Sequence, residues 1–464
     1  MYEAIFELEA ITPLFMRGAD QRKAEFRSAS VKGVMRWWFR ALAGNYFGNN
    51  IKALREAEGK VFGSAGSGEA KKSRVFVRAE VKDKREGSVF QHAASWRDEK
   101  AIVWSEYVDY LFFSALDKRK NRNTGGVDVK SRFRYYDTGS KFEVVLSSHD
   151  RDAFLLAEAA LWMAINLGGF GFRARRGAGS LRVTKTKGDF NLKFNNFGSL
   201  REFAQEVSTV VSQFNEAIGN LGVSPGKNKR DRADYPLYPV FEQENSLIFT
   251  REEWAGIRYH SDRKEKWVSA LDNFGRWFLD IKRGRKFSGG FRFRCADYAL
   301  SHTFERLTDN KVINEVSDQR TYKSRSPREK RYYLGLPIRY ANYSTTVSGW
   351  LGSVPTDNKD IEGALRSKKN TVERRASGYW LSLVDIGGIL YPMVTVFASQ
   401  FYPDYSGVFY FDKQDKWNRI YAKGLVTITG ENNSSAYRFY KKWIENIAQG
   451  IDGKFVVLWP RREF

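Results

Sequence analysis

The segment GGFGFRARRGAGS, from Gly168 to Ser180, is the most informative stretch of this 464-residue sequence. Glycine lets a backbone approach a ligand closely, and the forked guanidinium of arginine matches the oxygens of a phosphate group. The loop residues that we expect to contact phosphates are Gly169, Gly171, Arg173, Arg175, Arg176, Gly177 and Gly179. A long, permissive turn with solvated arginines is the alternative interpretation of the same composition.

The elements on either side of this loop restrict the fold. An apolar helix predicted over residues 154–167, with Asp150 or Asp152 as its cap, precedes the loop, and a strand predicted over residues 181–185 follows it. A dinucleotide-binding loop instead follows a strand and opens a helix, so the order of elements excludes that motif. The loop is therefore predicted to lead from a helix into a strand.

The rest of the first half predicts a ferredoxin-like domain. A strand is indicated over residues 2–14, an amphipathic helix follows with Ser30 as its cap, and further strands fall near residues 74–81 and 142–146. Together with the helix and strand around the loop, these elements follow the order β-α-β-β-α-β. We therefore predict an α+β, RRM-like domain over residues 1–190.

The second half of the chain predicts another mixture of helices and strands. Ser199 and Glu202 form a capping box ahead of an amphipathic helix. Further helices are predicted over residues 267–281 and 435–448, and strands over residues 332–339, 379–384, 390–398 and 455–459. Three segments have the composition of loops, namely residues 118–134, 227–234 and 320–331. We expect a second sheet with helices over residues 191–464.

The charge of the chain favours a polyanionic partner. Its 77 Lys and Arg residues outnumber its 54 Asp and Glu residues, which gives a formal net charge of +23. A membrane would attract the same charge, but no free-standing amphipathic helix, lipidation signal or apolar run of roughly 18 residues is found. Cys295 is the only cysteine, which excludes an internal disulfide and fits a reducing compartment. A soluble, cytoplasmic protein is expected.

A basic stripe follows one side of the first predicted helix. Lys32, Arg36 and Arg40 recur at four-residue spacing beside the apolar face, where they could follow the backbone of single-stranded RNA. Arg17 is assigned to the same groove, and Phe39 is a candidate for stacking on a base. The neighbouring tryptophans are assigned to the core. A solvated helix face is the alternative interpretation of the stripe.

No catalytic constellation emerges from the sequence, and neither a metal nor a cofactor is expected. The histidines are scattered without metal-ligand spacing, and they are His92, His149, His260 and His302. One histidine that activates a 2′-hydroxyl could still cleave RNA, because distant residues can meet in a fold. A metal-independent ribonuclease and a pure assembly subunit therefore remain alternatives to RNA binding without cleavage.

Three motif blocks resemble the RAMP superfamily of CRISPR-associated proteins, and within it the subunits of type III-B (Cmr) effector complexes. The first block is ITPLF at residues 11–15 with GAD at residues 18–20, and the third is the glycine-rich loop after the second helix. The second block comprises Arg27, Ser30, Lys32, Gly33, Arg36, Trp37, Trp38 and RAL at residues 40–42, extended by FGS at residues 62–64. The resemblance covers the first 190 residues.

The resemblance implies two tandem ferredoxin-like (RRM-like, βαββαβ) domains with insertions, at residues 1–190 and 191–464. It implies a non-catalytic subunit that contacts guide or target RNA near the 3′ region of the guide and aids target capture in antiviral defence. The implied partners are single-stranded RNA and the other Cmr subunits. Some relatives cut CRISPR precursor RNA with a histidine near the first helix, but residues 27–43 contain none. This departure weakens the alternative function, a metal-independent ribonuclease that processes precursor RNA.

Overall fold

The computed structural model describes residues 1–20, 22–65, 70–89, 106–120, 127–226, 238–243, 246–256, 266–283, 338–340, 345–351, 371–372, 378–399, 406–412, 421–427 and 455–460. The strands of the first half are β1 (Tyr2–Ala10), β2 (Val75–Asp83), β3 (Glu86–Val89), β4 (Leu116–Lys120), β5 (Val127–Tyr136), β6 (Lys141–Ser148) and β7 (Leu181–Gly188). Its helices are α1 (Ser28–Phe47), α2 (Ile51–Phe62), α3 (Glu106–Phe112), α4 (Arg151–Asn166) and α5 (Leu200–Asn220).

After α5, the described ranges of the chain contain one more α-helix and nine strands. The helix is α6 (Lys266–Arg283). The strands are β8 (Leu247–Arg251), β9 (Ile338–Tyr340), β10 (Thr345–Leu351), β11 (Thr371–Val372), β12 (Tyr379–Ile386), β13 (Ile389–Val396), β14 (Ser406–Asp412), β15 (Tyr421–Thr427) and β16 (Phe455–Trp459). Helices and antiparallel strands together confirm the predicted α+β class.

Four antiparallel strands form the first sheet, in the order β2-β6-β1-β7. In this register Ile5 of β1 lies opposite Val145 of β6, and Leu8 lies opposite Val183 of β7. Alternate residues of β1 are buried, as expected for a strand with one covered face. Helix α1 joins β1 to β2 and α4 joins β6 to β7, so the sheet elements occur in the predicted order β-α-β-β-α-β.

Helix α1 begins before the position that the sequence indicates. Its first residue is Ser28 and its N-cap is Arg27, which makes no side-chain capping bond, so the prediction of Ser30 as the cap was wrong. The hydroxyl of Ser28 instead accepts a hydrogen bond from the Ala79 N–H of β2 at 2.9 Å. Capping rules consider only residues close in sequence. They therefore cannot detect this contact, which comes from a strand about fifty residues away.

Helix α4 is buried from Ala153 onward because it packs against both α1 and α5. Asp150, one of the two predicted caps, accepts a hydrogen bond from the Ala153 N–H at 3.0 Å. Glu158 is buried within this helix and accepts hydrogen bonds from the N–H groups of residues 191 and 192 and from the Gln213 side-chain amide. Burial raises the pKa of Glu158.

The second sheet has the order β12-β13-β8-β16, and α6 packs on β13. The helix predicted at residues 267–281 and the strands predicted at residues 379–384, 390–398 and 455–459 are confirmed. The helix capped by Ser199 is confirmed as α5, because the Ser199 hydroxyl accepts a hydrogen bond from the Glu202 N–H at 3.2 Å. The helix predicted over residues 435–448 lies outside the described residues.

An inserted sheet occupies a segment that its charge had marked as a loop. Strands β3, β5 and β4 form this sheet in that order, with Leu116 opposite Ser131. The prediction of a loop over residues 118–134 was therefore wrong for the described residues of that range. Residues 121–126 lie outside the described residues. Val127, Val129, Phe133 and Tyr135 stand at alternate positions, a pattern typical of strands that the surrounding charges obscured. The loops predicted at 227–234 and 320–331 also lie outside the described residues.

A further sheet of the second half was not predicted. It has the order β11-β10-β14-β15, and β9 pairs with β10. Of the strand predicted over residues 332–339, the last two residues are described, and they belong to β9. Among the described helices, none has both the length and the apolar character that a membrane span requires.

Candidate nucleic-acid interface

The glycine- and arginine-rich loop is hydrogen-bonded to the segment that follows β1. The Phe172 N–H donates to the Phe15 carbonyl at 2.7 Å, and the Gly179 N–H donates to the Pro13 carbonyl at 2.9 Å. Residues 11–15 belong to the first motif block of the sequence, and the loop is the third. The two blocks therefore form one hydrogen-bonded unit.

The loop glycines make room for the chain's own backbone. Gly171 and Gly179 have φ values of +80° and +66°, a region that residues with a Cβ rarely adopt. A Cβ on Gly179 would lie 2.0 Å from the carbonyl oxygen of Phe170. Gly169, Gly177 and Gly179 are buried, whereas Gly171 is exposed. A Cβ on Gly171 would likewise lie 2.5 Å from the Phe15 carbonyl oxygen, so at Gly171 and Gly179 the close approach is made to the chain's own backbone.

Arg175 connects the loop with aromatic residues of both halves of the chain. Its guanidinium carbon lies 5.1 Å from the ring centroid of Trp37 in α1 and 5.1 Å from that of Trp380 in β12. Contacts at this distance are cation–π interactions. The Trp37 and Trp380 rings also contact each other, with their centroids 4.7 Å apart.

Arg176 makes a similar contact on the second half of the chain. Its guanidinium carbon lies 4.9 Å from the Tyr379 ring centroid and 5.6 Å from that of Phe278 in α6. Arg173 stands at the start of the short 3-10 helix Ala174–Arg176 with a φ of +65°, which is unusual for a residue with a side chain. The three loop arginines are each partly exposed as residues, while the Arg173 Nε and Arg176 Nη1 atoms are buried.

The predicted basic stripe on α1 is present, and most of it is tied to neighbouring side chains. Glu58 of α2, which is buried, accepts hydrogen bonds from Arg36 Nε at 2.5 Å and from Arg40 Nη1 at 3.0 Å. Lys32 Nζ donates to the Ser73 hydroxyl at 2.9 Å. Burial lowers the pKa of Lys32, and the neighbouring positive charge of Arg36 lowers it further. The stripe is thus a crowded positive surface with one buried counter-charge.

The aromatic residue at the surface of α1 is Trp37 rather than Phe39. Phe39 is fully buried and packs on Phe62 of α2 and Phe214 of α5, so the expectation that it stacks on a base was wrong. Trp37 is half-buried, and Trp38 is fully buried behind it. The exposure of these three neighbours depends on the packing of α2 and α5, which helical periodicity alone does not supply.

Arg17 lies on the other side of the loop. Its guanidinium carbon is 3.6 Å from the centroid of the Phe133 ring in β5, and Phe133 meets Phe172 of the loop edge-on at 5.7 Å. Sequence reasoning missed Phe133 because it lies in the segment that was predicted as a loop. The loop therefore contacts β5 through Phe172 and α1 through Arg175.

The described residues offer few groups for acid–base or metal chemistry. No cluster of three or more His, Cys, Asp or Glu side chains that could hold a metal ion occurs in the described part of the chain. Of the four histidines, His149 is the one described, and it is exposed beside the cap of α4. The partly exposed arginines of this region are suited to holding polyanions.

Comparison with known proteins connects these motifs to one superfamily. The family model described as the RAMP superfamily matches residues 7–182, a range that contains the end of β1, the basic stripe and the loop. The CRISPR system Cmr subunit Cmr1-2 of Pyrococcus furiosus is 70% identical over 183 residues, which are 39% of this chain and 96% of that protein. The Cmr1-1 subunit of the same organism is 33% identical over 256 residues, or 54% of this chain and 67% of that protein.

A solved structure shares the fold over nearly the whole chain. The crystal structure of Cmr1 from Pyrococcus furiosus in its apo form matches with a TM-score of 0.50 at 22% sequence identity. The match covers 99% of this chain and 99% of that one. The likeness in fold thus extends beyond the residues that the family model matches.

Proposed function

The chain belongs to the RAMP superfamily and to its Cmr subunits, and from this premise we propose that it is a non-catalytic RNA-binding subunit of a type III-B CRISPR effector ribonucleoprotein. It contacts single-stranded guide or target RNA near the 3′ region of the guide and aids target RNA capture in antiviral defence. Its partners are that RNA and the other Cmr subunits, and it works in the cytoplasm.

One structural observation carries this proposal: the loop contacts α1 at Trp37, beside the basic stripe. Arg175 lies over the Trp37 ring, and Arg36 and Arg40 stand on the same side of α1 as Trp37. Positive groups placed beside a half-buried aromatic ring form the kind of surface that holds single-stranded RNA without strong sequence preference, because phosphates and bases are bound together.

Two groups of predicted residues have different roles in this proposal. The groups that contact RNA are Arg17, Lys32, Arg36, Arg40, Gly171, Arg173, Arg175 and Arg176, each of which is at least partly exposed. Gly169, Gly177 and Gly179 are buried and support the shape of the loop. Exposure supports this division, since a buried backbone cannot reach a phosphate without displacement of its neighbours.

We also propose tandem ferredoxin-like domains at residues 1–190 and 191–464. When the strands are counted within each sheet, β2-β6-β1-β7 and β12-β13-β8-β16 have the same order: second, third, first and fourth. Helix α6 follows β8 as α1 follows β1. The shared order supports the proposal because the ferredoxin-like plan places its strands in this way.

The test is a salt titration of RNA affinity with two matched triple variants. Fluorescence anisotropy measures the binding of a labelled single-stranded RNA to the wild type, to Arg17→Ala/Lys32→Ala/Arg173→Ala and to Lys185→Ala/Lys187→Ala/Arg201→Ala. Each variant loses three charges, and the control residues are exposed on β7 and α5. We expect the first variant to reduce the slope of log affinity against log salt by about two, since each phosphate contact on a single strand contributes roughly 0.7.

The same mixtures decide between the proposed function and its alternatives. Equal slopes for wild type and the first variant would remove these residues from the RNA surface. Cleavage of the RNA during long incubation, resolved on a denaturing gel, would contradict the non-catalytic assignment and favour a metal-independent ribonuclease. Absence of RNA binding by the wild type at low salt would favour an assembly subunit.

A further inference from the structure

A cleft beside the basic stripe is not explained by the contacts described so far. Helices α1 and α2 and the segment at residues 238–239 enclose it, and its volume is about 580 Å³. Volumes of about 300–1,000 Å³ are usual for pockets that hold small molecules. The side chains of its wall that matter here are Arg36, Trp37, Arg40, Arg55, Glu58 and Tyr238.

The charge of this cleft is positive. Three arginines and one glutamate line it, and Glu58 is held by Arg36 and Arg40 through bonds of 2.5 to 3.1 Å. Arg55 is exposed and has no ion-pair or hydrogen-bond partner among the described residues. One free guanidinium and two that share a carboxylate are suited to bind a phosphate group, because each guanidinium offers a fork of donors.

Two aromatic rings of the cleft are held in place from outside it. The Trp37 ring packs against Trp380 at 4.7 Å and meets Trp38 edge-on at 5.2 Å. The Tyr238 hydroxyl donates a hydrogen bond to the Gly48 carbonyl at 2.7 Å, which fixes the orientation of that ring. Rings that are already fixed lose little conformational entropy when a base stacks on them.

The segment with Tyr238 comes close to α1 because Gly44 has no side chain. A Cβ at Gly44 would lie 2.4 Å from a methyl group of Val240 and 3.0 Å from the Tyr238 ring. The Val240 N–H is in turn hydrogen-bonded to the Ala398 carbonyl at 2.9 Å. This wall of the cleft therefore contacts α1 on one side and the segment after β13 on the other.

We propose that this cleft binds one unstacked nucleotide of a single-stranded RNA, with the base against the side of the Trp37 ring that lines the cleft and the phosphate on Arg55 and the Arg36–Arg40 pair. This inference rests on the proposed RNA-binding function and goes beyond it, because it assigns a pocket and adds Trp37, Arg55 and Tyr238 to the residues that contact RNA. The nucleotide can be internal or terminal, since both carry the same base and phosphate chemistry.

Photo-crosslinking identifies the nucleotide and its protein contacts. Single-stranded RNAs of one sequence carry a single 4-thiouridine at the 5′ end, in the middle or at the 3′ end, and crosslinked peptides are assigned by mass spectrometry. We expect crosslinks to the peptides that contain Trp37 or Tyr238. The RNA with the strongest crosslink distinguishes a terminal from an internal nucleotide. Crosslinks confined to peptides outside the cleft would overturn the proposal.

Affinity measurements supply the second readout. In anisotropy titrations we expect Trp37→Leu to weaken RNA binding by about tenfold, which corresponds to loss of one stacked base, and Trp37→Phe to retain most of the affinity. Arg55→Ala should weaken binding about three- to tenfold. Lys52→Ala is the matched control, because Lys52 is exposed on the same helix and does not line the cleft.

The outcomes separate this proposal from the one on which it rests. If Arg55→Ala binds RNA as Lys52→Ala does while the Arg17/Lys32/Arg173 variant is impaired, the pocket is refuted and the RNA-binding function stands. If the wild type binds no RNA, both proposals fail. Arg55 has no structural partner in the described chain, so its variant tests the pocket even if Trp37→Leu does not fold.

Discussion

The guanidinium of Arg175 lies over the ring of Trp37, 5.1 Å from its centroid, and so joins the glycine-rich loop to the first helix of the chain. The same guanidinium is equally distant from Trp380 of the second sheet. Loop, helix and second sheet thus meet at one cation. A residue that was predicted only as a phosphate ligand also holds the two halves of the chain together.

This double role predicts different effects for two substitutions of Arg175. Lysine keeps the charge but lacks the planar group that stacks on aromatic rings, so Arg175→Lys should preserve the salt dependence of RNA binding and lower stability by about 0.5–2 kcal/mol. Arg175→Ala should reduce both. Thermal unfolding and salt titrations measure the two properties, with Arg201→Lys on exposed α5 as the control. If Arg175→Lys lowered both the stability and the salt dependence of RNA binding, the two roles of Arg175 would not be separable.

Glu58 is predicted to restrain RNA binding while it stabilises the fold. Its carboxylate holds Arg36 and Arg40, so Glu58→Gln should lower the free energy of unfolding by about 1–3 kcal/mol, because two charge-assisted hydrogen bonds are weakened. The released guanidiniums should at the same time increase RNA affinity at low salt. Urea unfolding and anisotropy test the two effects.

The control for Glu58 is Glu56→Gln on the same helix. Glu56 is exposed and lies 3.8 Å from the ammonium groups of Lys60 and Lys71, contacts that contribute little to stability. Both effects should be clearly smaller in this variant. An unchanged RNA affinity in Glu58→Gln would mean that Arg36 and Arg40 do not contact RNA.

Gly33 is predicted to serve RNA contact rather than the stability of the fold. It is exposed within α1, and a Cβ there would meet nothing within 4 Å, so Gly33→Ala should stabilise the helix by about 0.5–1 kcal/mol. It lies one turn before Arg36 and Trp37, and the added methyl group should weaken RNA binding. Gly219→Ala in α5, also in open space, should give stability without that loss. Equal RNA affinities for the two variants would argue against RNA contact at Gly33.

Glu158 is predicted to make stability depend on pH. Burial raises the pKa of this carboxyl, so the folded state binds its proton more tightly than the unfolded state does. Its contribution is therefore most favourable below the ordinary value of 4.5 and declines as the pH rises from there through the folded-state pKa. Glu158→Gln should lack this decline, because its oxygen can still accept the backbone bonds while the Gln213 amide rotates.

Urea unfolding at a series of pH values measures this effect. As the pH rises from 4.5 through the folded-state pKa, the wild type should lose stability relative to Glu158→Gln. Glu216→Gln, on the exposed face of α5, should follow the wild type. Parallel pH profiles for wild type and Glu158→Gln would show that the buried carboxyl does not titrate differently on folding.

Local patterns in the sequence predicted most of the first sheet and its helices. The burial of alternate residues in β1 and of Val31, Met35, Trp38 and Leu42 in α1 follows from periodicity, because a two- or three-to-four-residue repeat places apolar groups on one face. The strand β5 was missed because charged residues occupy positions between its apolar ones, and β4 was missed because Leu116 is its one apolar residue. A count of charges favours a loop wherever a strand has one solvated face.

The candidate site was predicted as residue types but not as an arrangement. The sequence located the loop, the stripe and Arg17, yet it could not place Phe133 under Arg17 or Glu58 between Arg36 and Arg40. These partners are far apart along the chain, and sequence spacing carries no information on contacts between separate elements. The same reason explains why Phe39 rather than Trp37 was expected at the surface.

The sequence by itself determined the order of elements, the basic character of the surface and the position of a glycine-rich turn between a helix and a strand, because propensity, charge and periodicity are properties of neighbouring residues. Only the tertiary structure decided that the glycines face the chain's own backbone, that Arg175 stacks on Trp37 and that Arg182 of β7 bonds to Asp385 of β12 at 2.6 Å. Those contacts follow from the packing of separate elements against one another, and packing depends on shape and on desolvation over the whole fold rather than on any one segment.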